Sequence, residues 1–278
     1  MQLPTIRAMT RADVEPAADA ILRSGWGDRR IKMGFVADHP QCRPFVAEAD
    51  GAIVGTGVTT VSGPVAWIGT IWVDPAWRGR GLGKALTGAT IEAAEAAGCQ
   101  VLVLVATEAG QPLYERLGFK VQTHYRTIEA PGIAEGEADR RIRPFRPSDL
   151  EAMAALDAAA TGEDRAHLLA ALAAPDTTRC LEHEDGTLGG FVLRAPWGGG
   201  ATIAPDPADA LAILHARRVA AGPAKHVRAG VLATNERGLE RLAKTGWTDA
   251  WQAPRLIRGE MPIWHPDAIW GQFDHATG

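Results

Sequence analysis

Little in this chain invites an extracellular, membrane or metal-centred reading. Its three cysteines, Cys42, Cys99 and Cys180, stand far apart with no C-x-x-C pair. An odd, scattered set excludes a disulfide framework and a zinc–cysteine site, so no metal is expected and a reducing, cytoplasmic compartment fits best. Long apolar runs are missing too. The stretch from Val101 to Ala106 is among the longest, far short of the ~20 residues a membrane helix needs. The first residues, Met1-Gln2-Leu3-Pro4-Thr5-Ile6-Arg7, lack the apolar core of a signal peptide. Positive charge is not in excess, with 29 Lys and Arg against 33 Asp and Glu, so neither nucleic acid nor a membrane surface is an expected partner. Tyrosine is scarce, only Tyr114 and Tyr125. What is present suits a soluble globular protein: 46% of residues are apolar and 22% charged, enough apolar surface to offset the entropy of ordering. The length, 278 residues, allows one large domain or two small ones.

The chain repeats itself. Ile6-Arg7-Ala8-Met9-Thr10-Arg11-Ala12-Asp13 aligns with Ile142-Arg143-Pro144-Phe145-Arg146-Pro147-Ser148-Asp149, and Asp28-Arg29 with Asp164-Arg165 at the same spacing. Glu48-Ala49-Asp50-Gly51 matches His183-Glu184-Asp185-Gly186, Val105-Ala106-Thr107-Glu108 matches Leu232-Ala233-Thr234-Asn235, and Gly118-Phe119 matches Gly246-Trp247. Asp-Gly pairs recur by chance because turns favour them, but five matches in one order at nearly constant spacing point to a tandem duplication. The join, 131–141, is polar and glycine-containing with no apolar periodicity, as a linker is. The expected division is a domain over 1–130, a linker over 131–141 and a second domain over 142–278.

Within the first copy, a strand over Leu3–Ala8 precedes a helix over Asp13–Ser24. A hairpin, Phe45–Glu48 with Ala52–Thr60, turns at Asp50-Gly51. Ala66–Val73 reads as a strand and Leu82–Ala97 as a helix with Leu82, Leu86, Ala89, Ala93 and Ala96 on one face, stopped by Gly98. Val101–Val105 is a buried strand, Leu113–Leu117 a short helix and Lys120–Ile128 a closing strand. The order is βαβββαβαβ: an α/β (α+β) fold, in which each copy builds a mixed, mostly antiparallel sheet flanked by helices.

Between the Ala66–Val73 strand and the next helix lies Arg78-Gly79-Arg80-Gly81-Leu82-Gly83-Lys84. Glycine permits positive φ and removes Cβ atoms, so successive N–H groups can converge on one anion. The helix start adds unpaired amides and about half a positive charge, and Arg78, Arg80 and Lys84 add formal charge. Such a turn suits a pyrophosphate. It is not a P-loop, which needs Gly-x-x-x-x-Gly-Lys-Ser/Thr, and no acidic residue ends the Val101–Val105 strand as a dinucleotide fold requires.

Arg78-Gly79-Arg80-Gly81-Leu82-Gly83 resembles the Gln/Arg-x-x-Gly-x-Gly/Ala turn of the GCN5-related N-acetyltransferases (GNAT), and Leu113-Tyr114-Glu115-Arg116-Leu117-Gly118-Phe119 is typical of the same family. The resemblance covers residues 5 to 128. The second copy resembles the degenerate C-terminal halves of tandem members, through Leu156-Asp157 to Gly162-Glu163-Asp164-Arg165 and Trp264-His265-Pro266 to Trp270-Gly271.

The resemblance implies transfer of an acetyl group from acetyl-CoA to the primary amine of a small molecule, by direct attack in a ternary complex. It implies Tyr114 as the acid that protonates the departing thiolate; a phenol of ordinary pKa, near 10, keeps its proton at neutral pH. Gly79 through Lys84 with Arg78 hold the pyrophosphate. Trp72 and Val73, at the end of a splayed strand, offer backbone amides to the acetyl group and pantetheine arm, and Thr107 lines the channel. The base is open among Glu48, Glu108, Asp38, His39 and His124, with Glu108 preferred because it follows the channel strand; water can relay the proton instead. Trp26, Phe35 and Trp67 are candidates for an apolar acceptor wall.

The second copy lacks both devices. In place of the glycine turn stands Ala201-Thr202-Ile203-Ala204-Pro205-Asp206-Pro207-Ala208-Asp209; its prolines remove donors and its aspartates repel phosphate. Leu242 replaces the tyrosine. This half is expected to be non-catalytic: it packs on the first, closes its cleft or forms a homodimer. His265, His275, Trp247, Trp251, Trp264 and Trp270 read as structural. Two alternatives are a non-catalytic acyl-CoA sensor and a peptide or protein N-acetyltransferase.

Overall fold

The computed structural model describes residues 4–134, 136–137, 139–274 and 277; Leu3 and His275 lie outside them. The first series of elements is β1 (Thr5–Ala8), α1 (Val14–Arg23), α2 (Arg30–Asp38), β2 (Cys42–Ala49), β3 (Ala52–Ser62), β4 (Val65–Val73), α3 (Leu82–Ala96), β5 (Val101–Val105), α4 (Gln111–Arg116) and β6 (Lys120–Pro131). The second is β7 (Ile142–Pro144), α5 (Leu150–Thr161), α6 (Ala166–Leu172), β8 (Thr178–Glu182), β9 (Leu188–Leu193), β10 (Thr202–Ile203), α7 (Pro207–Ala221), β11 (His226–Leu232), α8 (Glu236–Lys244), β12 (Thr248–Arg258) and β13 (Ile269–Gly271). Among the described residues no helix is long and apolar enough to cross a membrane.

The duplication is written in the ion pairs. Arg7 grips Asp13 with two bonds of 2.8 Å and Glu48 at 2.7 Å. Arg143 grips Asp149 at 2.7 and 2.9 Å and also bonds Glu182. In each half the aspartate side chain also accepts from the backbone three residues back, Thr10 or Arg146, at 2.7 Å. The Asp50-Gly51 turn has φ of 49° and 74°, the double positive φ of a tight hairpin turn.

One helix per copy was not expected. Arg30–Asp38 buries only Lys32, Met33 and Val36, too sparse a stripe to read as a period. Its start is marked instead by Asp28, which accepts from the Arg30 amide at 2.9 Å. Asp164 does the same for Ala166 at 3.4 Å, so the matched Asp-Arg pairs flag equivalent helix starts.

The halves share their sheets. Eight strands run in the order β1-β2-β3-β4-β5-β12-β6-β11, and five in the order β13-β10-β9-β8-β7. β12, the last long strand of the second series, lies antiparallel between β5 and β6. β6, the last strand of the first series, lies between β12 and β11. Each series thus lends its last long strand to the other, and the two separate sheets expected from the sequence become one shared sheet and one smaller one. The core is shared as well: Val65, Trp67, Val101 and Val103 pack with Met153, Leu168, Phe191, Leu232 and Phe273.

Candidate active site

β4 and β5 pair in parallel from Val65–Val101 to Trp67–Val103. β4 continues to Val73 and β5 to Val105 without further pairing, which leaves a gap between their carboxyl ends. A bulge bends β4 there: its register with β3 shifts between Thr56 and Val58, Thr70 takes a φ of 51°, and the Thr56 hydroxyl donates to the Thr70 carbonyl at 2.8 Å. The Asp74 amide donates to Val54 on β3 at 2.9 Å. Backbone groups alternate sides along a strand, so Val73 faces its N–H and carbonyl to the gap while Trp72 faces β3. The Trp72 side chain is buried and its indole donates to Ser24, just past the end of α1, at 2.8 Å, anchoring β4 to that helix.

After β4, Asp74 caps a 3-10 turn over Pro75–Trp77 by accepting from Ala76 at 2.8 Å. Gly79 and Gly81 follow with φ of 72° and 84°, and a Cβ at either would meet nothing within 4 Å. Gly81 is the N-cap of α3, and no side chain caps that helix. The amides of its first turn have no intrahelical acceptor, so they face an open, anion-favouring space. Arg78, Arg80 and Lys84 are exposed around it. Arg78 donates to the Val73 carbonyl at 3.1 Å, and the Arg80 guanidinium lies 5.1 Å from the Trp77 ring centre. Leu82 is buried with Ala47, Val54 and Leu86, which pins the start of the helix. At Gly83 a methyl group would touch Leu113 and Val73, both at 3.7 Å. The glycine turn, the end of β4 and α4 therefore converge at one point.

α4 carries Tyr114 beside Leu113. The Tyr114 ring meets Phe119 edge-on at 6.2 Å and packs on the cluster of Ile68, Leu104 and Ala106. Among the described residues its hydroxyl has no hydrogen-bond partner. Burial pushes the phenol up to about 12, above the ordinary value expected from sequence, because the phenolate would sit in apolar surroundings. Thr107 closes the turn into α4, accepting from Gly110 at 3.2 Å. Glu108 is exposed on that turn.

The other candidate bases are dispersed. Glu48 is committed to Arg7, and Asp38 bonds Arg11 at 2.6 Å on the surface. His39 stacks on His167 at 5.0 Å, and burial lowers its pKa. His124 is exposed on β6, where its carbonyl accepts from Ala233 at 2.8 Å. The aromatic wall is dispersed too. Trp26 is exposed, Phe35 stacks on Trp197 at 4.9 Å, and buried Trp67 donates to buried Glu163 at 2.9 Å. Sequence reasoning passed over Thr70, Trp77 and Leu113; no residue-type signal marks a threonine at positive φ.

In the second half the equivalent turn is filled from within. Asp206 is the N-cap of α7 and accepts from Ala208 at 2.7 Å, with Pro207 at the first helical position. Buried Asp209 bonds Arg141 at 2.9 Å and His183 at 2.8 Å. Leu242 is fully buried. Trp270 and Trp247 are buried, Trp251 is exposed, and Trp264 lies over the Arg255 guanidinium at 4.9 Å. Asp157 and Arg165 form a buried pair with bonds of 2.9 and 2.6 Å, and His265 donates its amide to Ala160 at 2.9 Å.

Two family models match the chain: the Acetyltransferase (GNAT) family over residues 11–119 and an Acetyltransferase (GNAT) domain over residues 153–271. The chain belongs to the GNAT acetyltransferase family. Among its relatives, the chain is 31% identical over 112 residues to the glucosamine 6-phosphate N-acetyltransferase of Trypanosoma brucei brucei, covering 38% of this chain and 73% of that protein. It is 30% identical over 135 residues to the uncharacterized N-acetyltransferase YitH of Bacillus subtilis strain 168, covering 47% of each. The whole fold recurs in a Pyrococcus horikoshii protein classed as an acetyltransferase, with a TM-score of 0.84 at 20% identity over 100% of this chain and 97% of that one. It also recurs in a tandem GNAT protein from the clavulanic acid biosynthesis pathway, with a TM-score of 0.62 at 13% identity over 93% and 98%.

Proposed function

We propose that this acetyltransferase moves an acetyl group from acetyl-CoA to the primary amine of a small molecule, by direct attack while both substrates are bound. The observation that carries the reading is the convergence at Gly83 of an uncapped helix start, the gap side of β4 and the segment holding Tyr114. The open side of Gly79 and Gly81 fits a pyrophosphate, since among the described residues nothing lies within 4 Å of a Cβ placed at either. The name of the trypanosomal relative gives a small amine as its acceptor, which supports a small-molecule acceptor here.

Acetyl-CoA supplies an activated acetyl thioester and a thiol leaving group. The amides from Gly79 to Lys84 hold its phosphates, with Arg78, Arg80 and Lys84 adding charge. Val73 presents an amide to the gap through which the pantetheine arm passes beside Thr107. Tyr114 holds a proton for the departing sulfur, and its raised pKa keeps that proton in place throughout the neutral range. Glu108, exposed beside α4, takes the proton of the attacking amine. The second half is non-catalytic and completes the shared sheet. The enzyme acts in the cytoplasm on small-molecule partners.

The test is thiol release from acetyl-CoA in the presence of a panel of primary amines, with product mass read for one added acetyl group. Turnover with small amines supports the reading. Tight CoA binding without turnover on any amine indicates a sensor, and turnover on peptides alone indicates a protein-directed enzyme.

A further inference from the structure

The second half holds a cleft of about 1000 Å3 that shares no residue with the glycine turn. It exists because β10 is two residues long and pairs only with β9 and β13. β11, last in the eight-stranded sheet, therefore keeps one open edge. The C-terminal half of α7, the end of β9 and the loop at Trp197 wall the space beside that edge.

Arg194 and Arg217 both line the cleft. Among the described residues neither has a carboxylate within ion-pair distance. Arg217 donates once, to the Arg228 carbonyl on the β11 edge, at 2.7 Å; a guanidinium has five donors. Arginines in a last helical turn often serve the helix carbonyls or nearby backbone. Arg218 has that role, donating to the carbonyls of Pro131 and Thr245 at 2.9 and 2.7 Å. Arg217 instead stands in the cleft, where burial and the like charge of Arg194 lower its pKa. The acidic groups at the cleft do not answer this charge: Asp274 is held by Lys32 at 2.9 Å, and Asp176 is exposed. A third donor, the Trp197 indole nitrogen, is buried without a partner. Ala216, Ala220 and Val227 line the same space and offer an apolar wall to an organic body.

Two guanidiniums without a carboxylate partner among the described residues and an unpartnered indole N–H, lining one cleft, make an oxyanion site. We infer that this cleft binds a small phosphorylated or carboxylated compound through Arg194 and Arg217. The site stands apart from acetyl transfer: it lies by the C-terminal half of α7, whereas the glycine turn lies at the N-terminus of α3.

Calorimetric titration of the full-length protein in chloride buffer tests this, with pyrophosphate and citrate as the phosphate and carboxylate probes. The expected result is saturable binding of at least one probe, weakened about tenfold or more in Arg217→Met and in Arg194→Ala by loss of charge-assisted bonds. Gly81→Asp, which blocks the glycine turn, should keep this site. In a Gly81→Asp background, where the glycine turn no longer takes pyrophosphate, thermal midpoints should rise with the probe and should not rise once Arg217 or Arg194 is also replaced. The Arg194 side chain makes no hydrogen bond to the described residues, so its variant decides the matter if Arg217→Met does not fold. Absence of binding by both probes, binding unchanged in Arg194→Ala, or binding lost in Gly81→Asp overturns the assignment.

Discussion

The starts of α3 and α7 occupy corresponding places in the two halves and are finished in opposite ways. α7 is capped by its own Asp206 carboxylate, with Pro207 behind it. α3 begins at Gly81 in a left-handed conformation, with no side-chain cap. A side-chain cap stabilises a helix by about 0.5–2 kcal/mol, so the first half forgoes local stability and leaves amides open for an anion. The second half takes the stability and closes the site. The same division recurs downstream, where Tyr114 faces Leu242 across the repeat. One fold position thus stands open or stabilises the chain, depending on which residue sits at the helix start.

The largest effect expected concerns separating the halves. A chain ending at residue 130 loses β12 from between β5 and β6 and β11 from the far side of β6, which exposes one edge of β5 and both edges of β6. It should be insoluble or unfolded by circular dichroism; a stable monomer would show that the shared sheet is dispensable.

Next is Tyr114→Phe. General acid catalysis is typically worth 10²–10⁴-fold, so kcat should fall by about 100-fold or more with CoA affinity and melting temperature little changed. The wild-type rate should not decline between pH 7 and 10. A group whose pKa is raised to about 12 is in its competent, protonated form below that value and loses the proton only above it. Single-turnover thiol release across that range checks both statements.

Asp206→Ala should cost about 0.5–2 kcal/mol of stability in urea titration and leave CoA affinity unaltered. The smallest effect concerns a contact between the halves, where the His167 ring meets His39 tilted at 5.0 Å and approaches Ser62 at 3.4 Å. Burial, then the neighbouring His39, lowers His167 to about 4. The folded state therefore resists a proton that the unfolded chain accepts below about pH 6.5, and stability falls as pH drops toward 4. Allowing for its partial exposure, the loss should be about 1 kcal/mol between pH 6.5 and 5. His167→Gln should flatten that dependence in urea melts.

The glycine turn and the helix that carries Tyr114 were legible in the sequence because both are local: three glycines after a strand, and one of two tyrosines five residues before Phe119. The duplication was legible for the same reason, through Arg7–Asp13 and Arg143–Asp149. The strand exchange was not. β6 and β12 carry the same alternation whichever neighbour they pair with, so pattern alone does not choose between a strand's own sheet and the other half's. α2 was hidden by its thin buried stripe, and the bend in β4 rests on Thr70, a residue type that rarely takes positive φ. The ordinary pKa expected of Tyr114 missed the burial that raises it.

Calorimetric titration of CoA into the full-length protein and two variants tests the central contrast most directly. The account predicts one site per chain in the wild type and in Asp206→Ala. In Gly81→Asp, which imports the second half's cap into the first, affinity should fall by about 100-fold, since each charge-assisted hydrogen bond lost costs about 1.5–3 kcal/mol. Two tight sites per chain, or full affinity in a folded Gly81→Asp protein, would contradict it.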